Sequence, residues 1–294
     1  MRRSAVTLVT LLAAAGALPA QEPAVTNSVG MELVLIQPGS MVVGRFQPPY
    51  PVPPDPNAAP PSPAAGAAAG RGGRGGGRGP SYTPEQYARL EAMAKAASAP
   101  GFSVTLPRAF YIGKYEVTQA QWKAVMKTNP SIFQGDRVTD DADRHPVDNV
   151  TWEDAQTFVR RLNALEKTSV YRLPTEFEWE YAARAGEEAD TPWTVIRERA
   201  VAGYNSFFST QVVGSRKPNA WGLYDMQGNV WEWVQDYYNE KLFADPTPPR
   251  SGKVRVLKGG GFAADVKNAI PATHAAGPGS KFDVGFRIVR DLKR

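Results

Sequence analysis

From Pro48 to Pro80 the chain reads PPYPVPPDPNAAPPSPAAGAAAGRGGRGGGRGP, almost wholly Pro, Ala, Gly and Arg. Such a stretch cannot bury enough apolar surface to offset the entropy of ordering it, so it cannot join a packed core. It is expected to be disordered. The segment after it, SYTPEQYARLEAMAKAASAP, predicts one short helix, with Thr83 as N-cap, Pro84 at the first helical position and Gln86 completing a capping box. An insertion over 48–100 therefore interrupts a single domain over 30–292, whose folded material is Gly30 to about Phe46 and Gly101 to Leu292. With 294 residues, 42% of them hydrophobic and seven Trp, the chain can bury one sizeable core or two small ones.

The formal charge of +5 invites a nucleic-acid reading that its distribution removes. Arg2 and Arg3 stand at the extreme N-terminus and Arg71, Arg74 and Arg78 in the Gly/Arg tract, and these five account for the whole excess. The folded part is balanced, and no nucleic-acid partner is expected. The opening MRRSAVTLVTLLAAAGALPAQEP has two Arg, an apolar run to about Ala17 and small residues at Ala17 and Ala20. That is the layout of a secretory signal peptide over 1–20, with an uncleaved anchor as the alternative. The run falls short of the roughly 20 residues a membrane span needs, so a secreted or periplasmic protein without a stable span after cleavage is expected. With no Cys, disulfides and thiolate metal sites are excluded.

MELVLIQPGSMVVG and FSVTLPRAFYIGKYEVT have the apolar character of strands. Three helices follow, each opened by a Thr. Thr118 with Gln121 starts one carrying Trp122, Val125 and Met126; Thr151 starts another whose Ala155, Phe158, Val159 and Leu162 fall at helical spacing; Thr175 with Glu178 starts a third that ends near Gly186. Beyond Gly186 mostly loop is expected, with short strands at RVLKGGGF and GFRIV. Glu176, Glu178 and Glu180 crowd the start of the third helix, where unpaired backbone N–H groups favour negative charge and Arg172 and Arg184 are at hand to pair with them. A catalytic carboxylate pair is the sharper alternative.

GLYDMQGNVWEW places Asp225, Gly228, Val230 and Glu232 at i, i+3, i+5 and i+7. Two carboxylates then bracket a Gly-containing turn whose carbonyls could face inward, an all-oxygen set of the kind calcium takes, although the pattern is not an EF-hand. The alternative is a turn in which Trp231 and Trp233 plug the core, Asp225 caps and Glu232 pairs with an Arg. His145 and His274, the only two histidines, lack metal-ligand spacing. His145, in RHPVDNVTW, reads as a turn residue.

These motifs, in this order, resemble the formylglycine-generating enzyme family, also called the sulfatase-modifying factor family. RLPTEFEWEYAAR together with GLYDMQGNVWEW carries most of the likeness, supported by GMELVLIQPGSMVVG, FYIGKYEVTQAQWKAVM, HPVDNVTWEDAQTFVRRLN, RVLKGGGF and GFRIV. The resemblance implies an α+β, C-type-lectin-like fold, loop-rich with few short helices and strands. It implies calcium on the side chains of Asp225 and Glu232 and the carbonyls of Gly228 and Val230. A second calcium would use Asn205, but the Asp that should follow is missing from STQVVGSRKPNAWG.

Formylglycine-generating members hold copper on two cysteines placed after a GGS strand. Here the strand reads KGGG, with Gly261 in the Ser position, and the cysteine positions fall at about Ala264 and Ala269. Soft copper(I) requires sulfur, so that mechanism is closed to this chain. The resemblance thus implies an exported, calcium-stabilised module that binds a protein, peptide or glycan. The alternative is an oxidoreductase with a non-thiolate centre such as non-haem iron, drawing on His274 with Asp265 and Asp283.

Overall fold

The computed structural model describes residues 25–44, 101–187, 193–203, 205–243, 245–264, 275–277 and 282–292. The expected signal peptide, the bulk of the insertion with its helix, and His274, Asp265 and Ala269 lie outside them. Among the described residues no helix is long and apolar enough to cross a membrane.

Eleven strands are β1 (Val25–Thr26), β2 (Glu32–Ile36), β3 (Gly39–Val43), β4 (Phe102–Leu106), β5 (Phe110–Gly113), β6 (Tyr171–Arg172), β7 (Trp231–Tyr237), β8 (Arg255–Lys258), β9 (Ala275–Ala276), β10 (Val284–Gly285) and β11 (Val289–Asp291). The helices are α1 (Gln119–Met126), α2 (Trp152–Leu165), α3 (Glu176–Arg184) and α4 (Trp193–Arg199). One sheet has the order β1-β2-β5-β11-β6, a second β10-β7-β8-β9, and β3 pairs with β4 in a separate ribbon. The two predicted N-terminal strand regions thus split into β2, β3, β4 and β5. The insertion sits between β3 and β4, whose ends are fixed by the pairing of Val43 with Phe102.

The three Thr-started helices form as their caps dictate. Thr118, Thr151 and Thr175 each accept from the N3 backbone N–H while the N3 side chain, Gln121, Asp154 or Glu178, accepts from the cap N–H. The stripe Ala155, Phe158, Val159 and Leu162 is the buried face of α2. It packs into a first core in which the Trp122 ring stacks on Phe158 at 5.6 Å and Phe286 meets both edge-on. A second core gathers Val34, Ile36, Phe110, Ile112, Trp179, Val234 and Val256. Helix α3 ends at Ala185 in the left-handed region, with Gly186 following.

Its glutamates are structural. Glu178 closes the capping box and takes two hydrogen bonds from Arg172, and buried Glu180 accepts from Arg184 and Lys258. Besides β1, β6 and β9, which the sequence did not announce, and GFRIV, which is strand only at its ends in β10 and β11, two further elements depart from expectation. Helix α4 lies in the region read as loop: its β-branched Thr194 and Val195 and its shortness hide it from periodicity. β7 lies across WEW, where a loop was expected, because its inward row includes a charge, Glu232, that breaks the hydropathic alternation of a half-buried strand.

Candidate functional site

The end of the loop between α4 and β7, from Asp225 to Val230, is bent by three left-handed residues, Asp225, Gly228 and Asn229. At Gly228 the requirement is strict, because φ is +93° and any Cβ would sit on the backbone of Val201. The bend lets Gly228 N–H donate to Gly259 O at 2.8 Å and Asn229 N–H donate to Val201 O at 2.7 Å. It turns Asp225 inward. Asp225 Oδ2 accepts from Gly214 N–H at 2.6 Å, whereas Oδ1 is buried without a hydrogen-bond partner.

Glu232, on β7, is fully buried beside Asp225. Its Oε2 accepts from Arg287 Nε at 2.7 Å and Trp179 Nε1 at 2.8 Å, and its Oε1 accepts from Arg287 Nη2 at 2.6 Å. A third carboxylate, Glu116, completes the group by accepting from Val230 N–H at 3.0 Å and from Asn229 Nδ2 at 2.7 Å. Glu116, Asp225, Glu232 and Arg287 are all at most 3% exposed. Burial, then the charges of Asp225 and Glu232, push the Glu116 carboxyl well above the carboxylate range. Burial also lifts Asp225 to about 6, against the Gly214 amide and Arg287, with Glu232 adding to the rise. Burial works against the Arg287 charge, and the three acids outweigh it and raise its pKa.

The pairing of Glu232 with an arginine, foreseen in the structural reading of this stretch, is thus present, and Trp233 plugs the first core. Sequence reasoning missed Glu116 and Arg287. Arg287 stood in view as a lone charge in an apolar run, GFRIV, which is the available signal for a buried ion pair, whereas Glu116, two residues after Lys114 in KYEVT, carried no such signal. Asn205, weighed for a second calcium, spends both side-chain ends on its own turn. Its Oδ1 accepts from Ala202 N–H at 2.9 Å and its Nδ2 donates to Ala200 O at 2.9 Å.

The KGGG segment leaves β8 beside this loop, with Phe262 N–H donating to Asn229 O at 2.7 Å. A Cβ at Gly261 would meet Trp231 Cδ1 at 3.0 Å and the Asp283 backbone O at 3.1 Å, so this position is narrow for the family's serine. Ala264, about where the resemblance expects a cysteine of the formylglycine-generating members, is buried and presents only a methyl group. Aromatic rings line this face, with Phe262 packed edge-on to Phe133 at 4.9 Å and tilted to Phe282 at 5.6 Å. His145 lies at its margin as a buried tie, one ring nitrogen 2.8 Å from Thr210 Oγ1 and the other 2.7 Å from Asp140 Oδ1. Of the second reading's ligands only Asp283 is described, and its carbonyl accepts from Trp231 N–H.

Residues 69–292 match the model of the Sulfatase-modifying factor enzyme 1-like domain. The chain belongs to this family. Within it, the chain is 32% identical over 241 residues to the Chaperone protein LppX of Paenibacillus barcinonensis, covering 62% of this chain and 80% of that protein. It is 34% identical over 170 residues to the Formylglycine-generating enzyme of Thermomonospora curvata, covering 50% of this chain and 52% of that enzyme. The chain thus spans about half the length of that enzyme. Among solved structures, Treponema denticola variable protein 1 superposes with a TM-score of 0.60 at 30% identity, over 65% of this chain and 88% of that one. The expected α+β fold is the one these relatives share; its helices are few, as expected, but its short strands are many where few were expected.

Proposed function

We propose that this sulfatase-modifying factor family protein is an exported binding or assembly module, braced by one structural calcium, without formylglycine-generating activity. The carrying observation is the carboxylate surplus: Glu116, Asp225 and Glu232 all act on one fully buried arginine, and Asp225 Oδ1 is buried with no hydrogen-bond partner. Uncompensated buried charge is costly, and a divalent cation is the simplest group that balances it. Asp225 and the carbonyls of Gly228 and Val230 would hold the ion, and Glu232 would share one oxygen with it while keeping Arg287. When bound, calcium neutralises the surplus and fixes the left-handed turn.

The family's redox face here has no thiol, and there half-buried Phe133 and exposed Phe282 pack on the buried ring of Phe262, an apolar patch suited to contact with a protein, peptide or glycan. A relative named as a chaperone supports recognition of another protein. The deciding experiment is elemental analysis of the purified protein together with its melting temperature with and without chelator. One calcium per chain, and a melting point lowered by chelator and insensitive to it in Asp225→Ala, are expected. Stoichiometric iron or copper, or turnover of a cysteine-bearing sulfatase peptide to the aldehyde, would sink the proposal.

A further inference from the structure

The turn at 202–210 holds two bare aromatic rings away from the body of the protein. Phe207 is 90% exposed and Phe208 75%, and both have left-handed backbone, φ 53° and 57°. That conformation is unfavourable for a residue with a side chain. It is enforced from beneath: Asn205 staples Ala200 and Ala202, Oγ of fully buried Ser206 accepts from Phe208 N–H at 3.1 Å, and Ser206 O accepts from Gln211 Nε2 at 3.3 Å. Two projecting rings cannot enclose a small ligand. They form a preshaped knuckle that inserts into something else. Its flank is mildly acidic, because Thr210 leads through His145 to Asp140, in a segment where Asp136, Asp140 and Asp141 outnumber Arg137 and Arg144, while Asp143 is paired with Lys123.

A matching recess lies elsewhere on the same molecule. A groove of about 960 Å³ has apolar walls from Pro38, Leu106, Pro107, Phe110 and Leu292. At its rim Arg172 takes up both Glu178 and Asp291, whereas exposed Arg108 forms no ion pair among the described residues. The two features stand at opposite ends of one framework. Phe110, paired with Asp291, opens β5 at the groove. From the other end of β5 the chain runs to Glu116, which holds Asn229, which in turn accepts from Gln211 N–H beneath the knuckle. With 90% and 75% exposure, Phe207 and Phe208 are not seated in the groove of their own copy.

We propose that the Phe207–Phe208 knuckle of one copy seats in the Pro38–Leu106–Leu292 groove of the next, joining copies head to tail. The acidic flank of the first copy then faces Arg108 of the second. Such a contact is heterologous, so it propagates into a ring or a filament and does not stop at a twofold dimer. The inference rests on reading the chain as an assembly module, and does not depend on its calcium.

Sedimentation velocity on the purified full chain at rising concentration tests it, with two variants whose changes are all at exposed positions. Phe207→Asn/Phe208→Asn keeps residues that tolerate left-handed backbone. Arg108→Glu/Leu292→Glu alters the groove. The unaltered chain is expected to grow past dimer, and each variant to lose association on the order of 30-fold or more. Mixing the two variants should give a dimer and nothing larger, since one supplies the only intact knuckle and the other the only intact groove.

A monomer at every concentration overturns the proposal, as does a knuckle variant that associates like the parent. Knuckle-dependent binding to phosphatidylcholine vesicles by a chain that does not self-associate also overturns it, assigning the rings to a bilayer. A monomer that still melts calcium-dependently defeats this inference alone, and an assembling chain indifferent to calcium defeats only the metal reading.

Discussion

Arg287 grips Glu232 with two hydrogen bonds, of 2.7 and 2.6 Å, where neither side chain meets solvent. The guanidinium also donates to Gly113 O and Tyr224 O, so one cation ties β5, the loop that carries Asp225 and β7 together. Arg287→Met should therefore leave Glu232 buried and uncompensated and lower unfolding free energy by about 3–5 kcal/mol. The double change Glu232→Gln/Arg287→Met should cost less than the single one. Urea denaturation of both, without metal, checks the order; a double variant weaker than the single would count against the pair as the cause.

Gly228→Ala is expected to be among the most damaging small substitutions in the chain. The added methyl group meets the Val201 backbone and must adopt φ +93°. A loss on the order of 3 kcal/mol or more is anticipated from strain and displacement together. Thermal melting reads it, and a variant within experimental error of the parent would show that the loop can open without penalty.

Asp148 supplies a pH dependence of defined sign. Burial pushes its carboxyl to about 7, against donation from the Ile132 and Phe133 amides, the Ser131 hydroxyl and the charge of Arg137. The unfolded value is near 3.9, so between about 4 and 7 the folded chain holds a proton that the unfolded chain has released. This group therefore favours folding at the acid end of that window, and its contribution is lost as pH rises toward 7. The stability of the parent minus that of Asp148→Asn should fall from pH 4.5 to 7.5 in urea titrations. A difference that stays level would remove Asp148 from the account.

Thr175→Ala removes the hydroxyl that accepts from Glu178 N–H at the start of α3. A loss of about 1 kcal/mol is expected, as for other N-caps. Glu178→Ala should cost more, because the same carboxylate also takes two hydrogen bonds from Arg172. Equal effects in melting curves would mean that the Arg172 contact contributes nothing.

What could be read from the chain was local. A threonine followed three residues later by an acceptor marks a helix start wherever it occurs, and α1, α2 and α3 begin at Thr118, Thr151 and Thr175 as those pairs require. The face of α2 was legible because burial repeats with the turn of the helix. The site was legible only in part. Asp225 and Glu232 announce themselves by spacing, but Glu116 and Arg287 reach them from 109 and 55 residues away along the chain. Such partners are set by sheet register and leave no periodic trace. For the same reason WEWVQDY concealed a strand, since the residue facing inward at Glu232 is charged and has its counterion on a different segment.

The pairing of β2 with β5 has a practical outcome for anyone trimming this protein. The family match begins at residue 69, downstream of β1, β2 and β3. Yet Leu33 fills the first core, Val34 and Ile36 the second, and β2 occupies the place next to β5 inside the larger sheet. A truncation at that boundary would strip a central strand from its neighbour, leave β5 as a raw hydrogen-bonding edge and empty two hydrophobic sockets at once. A piece able to stand alone has to keep β2, and the homology boundary is not a folding boundary.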